Sequence, residues 1–412
     1  MNEIAAFFRI VPWPPAATPL LWASVVLIVG ALLGELAFRG LRWPRVVGYS
    51  AVGMCVAAAG FGLGDGPRPR DVRLVVDLAL GLLLFELGSR VSLRWLRANP
   101  ALLLTSVAES AATFAAVMLV LRWFDFEFNA ALAGAALTMS TAGAVISRVS
   151  AEIKSAGQVT ERMIVYSALN TLYAVLVLKL LIGWLHVDQR GDWVQGIAQP
   201  LYTFAGSVLV AALLALAVSW AMKRLPVRDE NSVLLLLGLI LLALAAARIF
   251  GLSTLLVPLL AGVVLKNASE RPCIWPRHFG TAGGVLVLML FVLVGSNWSV
   301  PMLVTGSFAA GALLAARAAV KGLVMLASAR FAGIETRQGL ALAATLTPLS
   351  ATTLVLWADL QVAHPEIAER LAPLVFASIA IMAASGPLLV DWGLRLAREH
   401  RLPSAPTSKG KP

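Results

Sequence analysis

The sequence predicts an all-α polytopic membrane protein with about 13 transmembrane helices, and three observations support this fold class. Of the 412 residues, 59% are hydrophobic and 13% are charged, and the mean hydropathy is +0.84, whereas a soluble domain is about half apolar and about a quarter charged. The apolar residues form runs of about 20, the length that spans a bilayer. Basic residues gather between those runs. This composition excludes a soluble enzyme, a disordered chain and a nucleic-acid-binding module.

Thirteen apolar segments follow one another along the chain. They lie at about 18–38, 45–63, 74–93, 99–121, 129–149, 162–184, 200–221, 232–248, 252–267, 280–297, 302–329, 336–357 and 367–394. No connection is long enough for a soluble domain. We therefore predict a single transmembrane domain over residues 1–397 and a short basic tail over 398–412, with any function residing inside the helical bundle.

The basic residues predict the orientation of the chain in the membrane. With the N-terminus outside, the inner connections and the tail contain 22 of the 33 lysines and arginines, and the outer connections contain 8. The bias alternates from loop to loop, as the positive-inside rule requires. We expect a multi-pass protein of the cell inner membrane with a cytoplasmic C-terminus. The net charge of +11 reflects this topology, so no nucleic-acid partner is predicted.

Two segments carry similar polar interruptions near their middles. Ser140 and Thr141 interrupt the fifth segment, and Thr347, Pro348 and Ser350 interrupt the twelfth. Because the twelfth segment is the seventh after the fifth, an odd step, the two cross the bilayer in opposite directions, as in an inverted repeat with two broken helices. Broken helices expose backbone groups that lipid does not tolerate, which predicts a polar cavity at the breaks. Kinks that serve only helix packing are the alternative.

Few ionisable residues lie deep in the predicted segments, and each is a candidate functional group because a charge at the bilayer centre costs about 3 kcal/mol or more. Glu109 lies at the centre of the fourth segment, between hydroxyl residues. It either handles ions or protons or is a structural, hydrogen-bonded acid. Arg317 and Lys321 share one helix face and need anionic or dipolar partners inside the bundle. The four histidines form no metal-ligand cluster, and no hydrolase or nucleotide-binding motif is present, so neither an enzyme nor a cofactor is predicted.

Several stretches resemble the monovalent cation–proton antiporter superfamily, the sodium/hydrogen exchanger family. Residues 42–49 resemble its LPxVVGYLLAG stretch, and residues 82–88 resemble its LLFxxGLExDLxxLR stretch. The interruption of the fifth segment resembles ALSSTSPAVV, and residues 321–330 resemble the family's lysine helix. The order and spacing of these stretches extend the resemblance over about residues 20–395.

The resemblance implies a fold with two parts. A core would comprise about residues 99–184 and 302–394, and a dimerisation panel about 18–93 and 232–297, with a linker helix at about 200–221. It implies two crossed discontinuous helices and alternating access by movement of the core against the panel. It also implies a homodimer in the lipid bilayer that exchanges a monovalent cation, Na⁺ or K⁺, for protons by secondary active transport.

The sequence departs from the family at one informative place. The sixth helix of family members carries an Asp-Asp or Asn-Asp pair that binds the cation and the protons, and the matching residues here are Asn170 and Thr171. Their neutral oxygens can coordinate a cation but cannot titrate. Glu109 and Lys321 are therefore predicted to supply the charge. The full set of predicted ion-binding and transport residues is Asn170, Thr171, Ser140, Thr141, Glu109, Lys321, Arg317, Ser350 and Thr347.

Two other functions remain open from the sequence. A site that lacks the family's carboxylate but contains two basic residues and two helix N-termini favours an anion, which predicts an anion or organic-acid carrier. The third hypothesis is a membrane sensor or partner protein that does not transport. Dependence on a cation gradient separates the antiporter from the anion carrier, and titratable flux separates it from the sensor.

Overall fold

Helices form almost all of the chain in a computed structural model, which describes residues 19–61, 70–190, 193–224, 230–268, 280–349 and 351–400. Within those ranges there is no β-strand. The helices are α1 (Pro19–Gly40), α2 (Arg45–Val56, continued by a π-helical turn over Ala57–Phe61), α3 (Arg70–Gly88), α4 (Leu93–Ala98), α5 (Pro100–Trp123), α6 (Phe128–Met139), α7 (Gly143–Glu152), α8 (Gln158–Arg190), α9 (Trp193–Arg224), α10 (Glu230–Ile249), α11 (Leu256–Ala268), α12 (Gly280–Gly295), α13 (Val300–Ala329), α14 (Thr336–Leu346), α15 (Ala351–Ala363) and α16 (Pro365–Leu396).

The helices have the length and the surface of a membrane bundle, which confirms the predicted fold class. Among the described residues, six helical stretches are long and apolar enough to cross a bilayer, and the bent pair α14–α15 is a seventh. Large apolar side chains face outward, for example Leu32, Leu104 and Phe308, which are 64%, 71% and 80% exposed. In the described part of the chain, helix occupies most of each predicted segment, while the exact number of spans stays a prediction.

Two discontinuous helices meet at their breaks, as the sequence predicts. The first is α6–α7, in which Ser140 is extended (φ −61°, ψ 146°), and the second is α14–α15, whose halves are bent by 47°. The backbone N–H of Ala142 donates to the Pro348 carbonyl at 2.9 Å. The Thr141 hydroxyl donates to the Leu346 carbonyl at 3.2 Å. These contacts supply partners to backbone groups that the breaks release, because lipid offers none.

Close approach of helix backbones at glycines joins the two parts of the predicted panel, residues 18–93 and 232–297. A Cβ at Gly53 of α2 would lie 2.1 Å from the Val292 carbonyl oxygen of α12, and one at Gly88 of α3 would lie 2.1 Å from the Leu259 carbonyl oxygen of α11. Only glycine allows these contacts, which is the usual way that helices pack in a membrane. The division into core, panel and linker stays a prediction.

A polar cluster joins α7 and α16 to the start of α2, and we call these contacts the Arg45 cluster. The Glu152 carboxylate accepts the Arg45 backbone N–H at 3.1 Å from both of its oxygens, and the Arg45 guanidinium at 3.2 Å. The guanidinium also donates to Glu35 of α1 at 2.9 Å. Arg395 of α16 donates to the Arg42 carbonyl at 3.2 Å. Glu152 therefore caps the N-terminus of α2 with a carboxylate, which favours that helix end.

Candidate functional site

Arg317 of α13 caps both broken helices from the side. Its guanidinium is fully buried and donates to the carbonyls of Thr138 and Ser140, at the end of α6. It also donates to the Thr347 carbonyl at 3.1 Å and to the Leu346 carbonyl at 3.3 Å, at the end of α14. The C-terminus of a helix carries a partial negative charge. One buried cation thus compensates two helix ends and satisfies their orphaned carbonyls.

Lys321, one turn further along α13, forms an ion pair with Glu109 of α5. Both side chains are fully buried, and 212 residues separate them in sequence. The Thr113 hydroxyl donates to the same carboxylate oxygen of Glu109 at 3.2 Å. A buried ion pair of this kind is tolerated only when further hydrogen bonds satisfy its remaining donors and acceptors. Lys321 therefore has the anionic partner that its position requires, and that partner is Glu109.

Asn170 of α8 joins the ion pair to the break in α6–α7. Its amide nitrogen Nδ2 donates to the second oxygen of Glu109 at 2.9 Å and to the Thr141 hydroxyl at 3.1 Å. Its amide oxygen Oδ1 accepts from the Ser110 hydroxyl at 2.9 Å. All of these side chains are buried. We call Glu109, Lys321, Asn170, Thr141 and Ser110 the Glu109 network.

The other predicted site residues surround this network without the same contacts. The Thr171 hydroxyl donates to the Ser167 carbonyl of its own helix at 2.8 Å, and the Thr347 hydroxyl donates to the Ala343 carbonyl at 2.8 Å. Ser140 shares a 3.0 Å hydrogen bond with Thr353 across the two breaks. Ser350 lies outside the described residues. The structure thus brings seven of the nine predicted residues into contact through side chains or capped carbonyls. Five of them, Glu109, Lys321, Asn170, Thr141 and Arg317, take part through their side chains, and Ser140 and Thr347 through backbone carbonyls that Arg317 caps.

Three hydroxyl residues form hydrogen bonds with predicted site residues although they were not predicted themselves: Ser110, Thr113 and Thr353. Thr113 lies four residues after Glu109, so helical periodicity places it beside the carboxylate. Ser110 directly follows Glu109 and contacts Asn170 instead. Thr353 follows the second break and meets Ser140. The spacing of Thr113 from Glu109 is a signal that the sequence contains. The contact of Thr353 depends on how the two broken helices cross, which the sequence does not specify.

A cavity of about 380 Å³ reaches the edge of the Glu109 network from between α5, α6 and α8. Its walls are mainly apolar and include Phe114, Met139 and Leu176, while Ser110 and Tyr173 contribute hydroxyl groups. Ser110 therefore lies both in the cavity wall and in the network. Of the residues that line the cavity, Ser110 alone belongs to the Glu109 network.

A helical membrane protein whose two broken helices cross, with a buried charge network at the crossing, has the architecture of secondary transporters built from inverted repeats. Residues 24–393 match the sodium/hydrogen exchanger family in its transmembrane region. The chain belongs to that family, which agrees with the resemblance seen in the sequence. It is accordingly a member of a transporter family and not an enzyme.

Two similar proteins align with different lengths of the chain. It is 26% identical over 291 residues to the iron transporter MagA of Paramagnetospirillum magneticum, in an alignment that covers 67% of this chain and 63% of that protein. It is 30% identical over 145 residues to 2-keto-3-deoxygluconate permease 1 of Salmonella typhimurium, which covers 35% of this chain and 44% of that protein. The chain thus matches less than two thirds of the length of either relative.

Two solved structures of the sodium proton antiporter MjNhaP1 from Methanocaldococcus jannaschii share the fold. The structure at pH 8 has a TM-score of 0.66 and covers 92% of this chain, and the electron-microscopy structure has a TM-score of 0.72 and covers 95%. Both comparisons cover 98% of the other chain, at 14% sequence identity. This likeness confirms the predicted antiporter fold.

Proposed function

We propose that the protein exchanges a monovalent cation, Na⁺ or K⁺, for protons, with Glu109 and Lys321 in place of the family's carboxylate on the sixth helix. The observation that carries this proposal is the fully buried ion pair of Glu109 and Lys321 beside the crossing of two broken helices. An ionisable pair at this depth is a functional site by default. The iron transporter among the relatives also has a cation as its cargo.

The exchange follows from the chemistry of the pair. The Lys321 ammonium occupies the position beside the Glu109 carboxylate that a metal cation would take. When Lys321 releases one proton and withdraws, the carboxylate is free to bind one cation. Among the predicted ligands, Thr141 and Asn170 already lie in the network, and Thr113 contacts the carboxylate. The hydroxyls of Thr171 and Ser140 donate to carbonyls of their own helices, which leaves oxygen lone pairs for a cation, but neither hydroxyl contacts Glu109.

The charge of the pair sets the stoichiometry of the proposed cycle. Glu109 remains a carboxylate throughout, while Lys321 gains or loses one proton as the cation leaves or binds. The net charge of the site is then zero in both states. We propose one cation for one proton, which predicts exchange that does not respond to a membrane potential imposed across proteoliposomes.

Proton flux in proteoliposomes containing the purified full-length protein tests the proposal. Na⁺, K⁺ or Li⁺ is added on one side over a range of pH, and the internal pH is followed with a dye. Cation-dependent flux is expected for the wild type and for Glu86→Gln, which changes a partly exposed acid paired with Arg90. Glu109→Gln should abolish it. Flux that Glu109→Gln leaves intact contradicts the assignment of Glu109, and no flux with any cation in the wild type contradicts antiport.

An organic-anion carrier is the second candidate, and the match to a 2-keto-3-deoxygluconate permease favours it. The charges of the site argue against it. Arg317 is engaged by four backbone carbonyls and Lys321 by Glu109, so neither basic residue offers an uncompensated charge to an anion. Uptake of a labelled 2-keto acid that is independent of Na⁺, K⁺ and Li⁺ would favour the carrier over the antiporter.

We also propose the membrane arrangement that the charge pattern predicts. The N-terminus would lie outside and the C-terminus in the cytoplasm of the cell inner membrane, with the protein present as a homodimer. Alternating access would move residues 99–184 and 302–394 against residues 18–93 and 232–297. In that movement the Arg45 cluster has to break, because Glu152 belongs to the first group and Arg45 to the second. The contact between Arg395, which directly follows the first group, and Arg42 breaks with it.

A further inference from the structure

We propose that Ser110 is a positioning residue for the ion pair of Glu109 and Lys321, because its hydroxyl holds the Asn170 amide with its donor side toward Glu109. The inference rests on the proposed function and refines the role of Asn170 within it. Ser110 is 3% exposed, lies one residue after Glu109 on α5, and donates to Asn170 Oδ1 at 2.9 Å. It touches neither Lys321 nor the two helix breaks in these contacts, so it acts through Asn170.

Hydrogen-bond accounting fixes the orientation of the Asn170 amide. An ionised carboxylate only accepts hydrogen bonds, so the amide atom 2.9 Å from Glu109 has to be the nitrogen. The Thr141 hydroxyl gives its one hydrogen to the Leu346 carbonyl, so it accepts from the same nitrogen at 3.1 Å. Two independent neighbours therefore require the donor side on this face. The amide oxygen is left facing Ser110, which is a donor.

This orientation changes what Asn170 contributes to the site. Its oxygen points away from the carboxylate and is already bonded to Ser110, so it is not placed to coordinate a cation at Glu109. Turning the amide over would bring two acceptors together and lose the bond to Ser110. Asn170 thus acts as a donor that holds the carboxylate, and the remaining oxygen ligands near Glu109 are the hydroxyls of Thr113 and Thr141.

The surroundings of Ser110 make this contact sensitive to substitution. Ser110 lies in the wall of the apolar cavity beside Phe114 and Leu176. Without its hydroxyl, the Asn170 oxygen would face that cavity with no donor, and a buried acceptor without a partner is unfavourable. An amide that is free to turn no longer shares the Glu109 carboxylate with the Lys321 ammonium, so the release of the Lys321 proton changes. The consequence of losing Ser110 is therefore a changed response to pH.

Several charged and titratable groups face Glu109 from the helices packed against it. Lys321 and Arg317 approach from α13, and Tyr166 and Tyr173 approach from α8. The pH profile of the wild type reflects the coupled titration of all of these groups. For this reason the test compares variants that keep every titratable group and change one hydroxyl.

The experiment measures exchange by the purified full-length protein in proteoliposomes for the wild type, Ser110→Ala, Ser110→Thr and the control Ser147→Ala. Ser147 is buried on α7, and its hydroxyl has no hydrogen-bond partner among the described residues. Ser110→Ala is expected to slow exchange about 3-fold to 10-fold and to displace the pH optimum by about half to one pH unit, the effect of one hydrogen bond. Ser110→Thr, which keeps the hydroxyl, should restore both. Ser147→Ala should keep the wild-type pH optimum.

Three outcomes overturn the inference. A pH profile of Ser110→Ala that coincides with that of the wild type assigns Ser110 a packing role alone. If the pH profile of Ser147→Ala is displaced as far as that of Ser110→Ala, the displacement is not specific to the hydroxyl of Ser110. A change in the ratio of the KM values for Na⁺, K⁺ and Li⁺ in Ser110→Ala shows that the Asn170 oxygen is a cation ligand, because a donor to the carboxylate would alter all three in parallel.

A second measurement separates this inference from the proposed function. The unfolding midpoint of the wild type and of Ser110→Ala in detergent is recorded against pH and requires no transport. The proposal expects a difference between the two proteins that varies with pH, and a packing role gives a difference that is the same at every pH. If the wild type exchanges no cation, the proposed function fails, and the unfolding measurement still decides the role of Ser110.

Discussion

Replacing Glu109 by glutamine removes one partner of a fully buried ion pair and leaves the Lys321 ammonium in the bundle without an anion. The side chains of both residues are 0% exposed, so water does not compensate the charge. Breaking such a pair costs about 3–5 kcal/mol. With about 2 cal/mol/K of unfolding entropy per residue, a chain of 412 residues would unfold at least about 4 °C lower. The assay is thermal unfolding of the purified protein in detergent at neutral pH.

The double variant Glu109→Gln/Lys321→Met provides the matched comparison. Because replacing both members of a buried pair by neutral groups is often close to neutral in stability, the double variant should recover most of the midpoint lost by Glu109→Gln. Glu86→Gln breaks a partly exposed pair with Arg90 and should lower stability by less than about 1 kcal/mol. The reasoning is refuted if Glu109→Gln unfolds at the wild-type temperature, or if the double variant is no more stable than the single one.

Three further predictions follow from contacts elsewhere in the bundle. Arg317→Leu leaves four backbone carbonyls at two helix ends without their shared donor. It should lower the unfolding free energy by about 3 kcal/mol or more, since a buried unsatisfied group costs about 1–3 kcal/mol; a wild-type unfolding midpoint would contradict its role as a cap. Glu152→Gln weakens the carboxylate cap on α2. In a cysteine-free background that carries Ser140→Cys as a probe, this change should increase labelling of the probe by an impermeant thiol reagent added on the cytoplasmic side. Unchanged labelling would show that the Arg45 cluster does not close that side. Gly53→Ala introduces a methyl group 2.1 Å from a carbonyl oxygen of α12 and should lower stability by about 1–3 kcal/mol. Gly238→Ala, where a methyl group meets no described atom within 4 Å, should raise it by up to about 1 kcal/mol, and equal midpoints for these two glycine variants would refute the argument from close packing.

The positions of the helices could be predicted from the sequence, because hydrophobic runs and polar interruptions are local signals. Ser140 and Thr141 marked the first break and Pro348 the second, and both are breaks in the structure. Glu109 and Lys321 could be singled out in the same way, since a charge in an apolar run is visible without any partner. Their pairing could not, because the two residues are 212 positions apart and meet only through the packing of α5 against α13.

The roles of neighbouring polar residues were harder to predict, since a helix turns by about 100° at each residue. Asn170 and Thr171 are adjacent in sequence, yet Asn170 contacts Glu109 while Thr171 donates to its own helix. Arg317 needed a dipolar or anionic partner, and the structure supplies helix ends instead of an acid. Such partners are backbone atoms, which carry no signature in the sequence.

The position of the carboxylate is the main difference between this chain and the pattern expected on the sixth helix. A transport site requires a negative charge at a particular depth and distance from the two breaks, and it does not matter to the cation which helix supplies that charge. The Glu109 carboxylate of α5 lies 2.9 Å from the amide nitrogen of Asn170. Asn170 belongs to α8, which corresponds to the family's sixth helix and lacks the expected acid. A glutamate has a longer side chain than an aspartate, so it reaches this point from the neighbouring helix. Lys321 contacts the same carboxylate, so in the proposed cycle the proton and the cation depend on one pair of side chains. For that reason the proposed exchange depends on Glu109 and Lys321 together, and restoring an acid at Thr171 without removing Glu109 would place a second carboxylate near a site that contains one lysine.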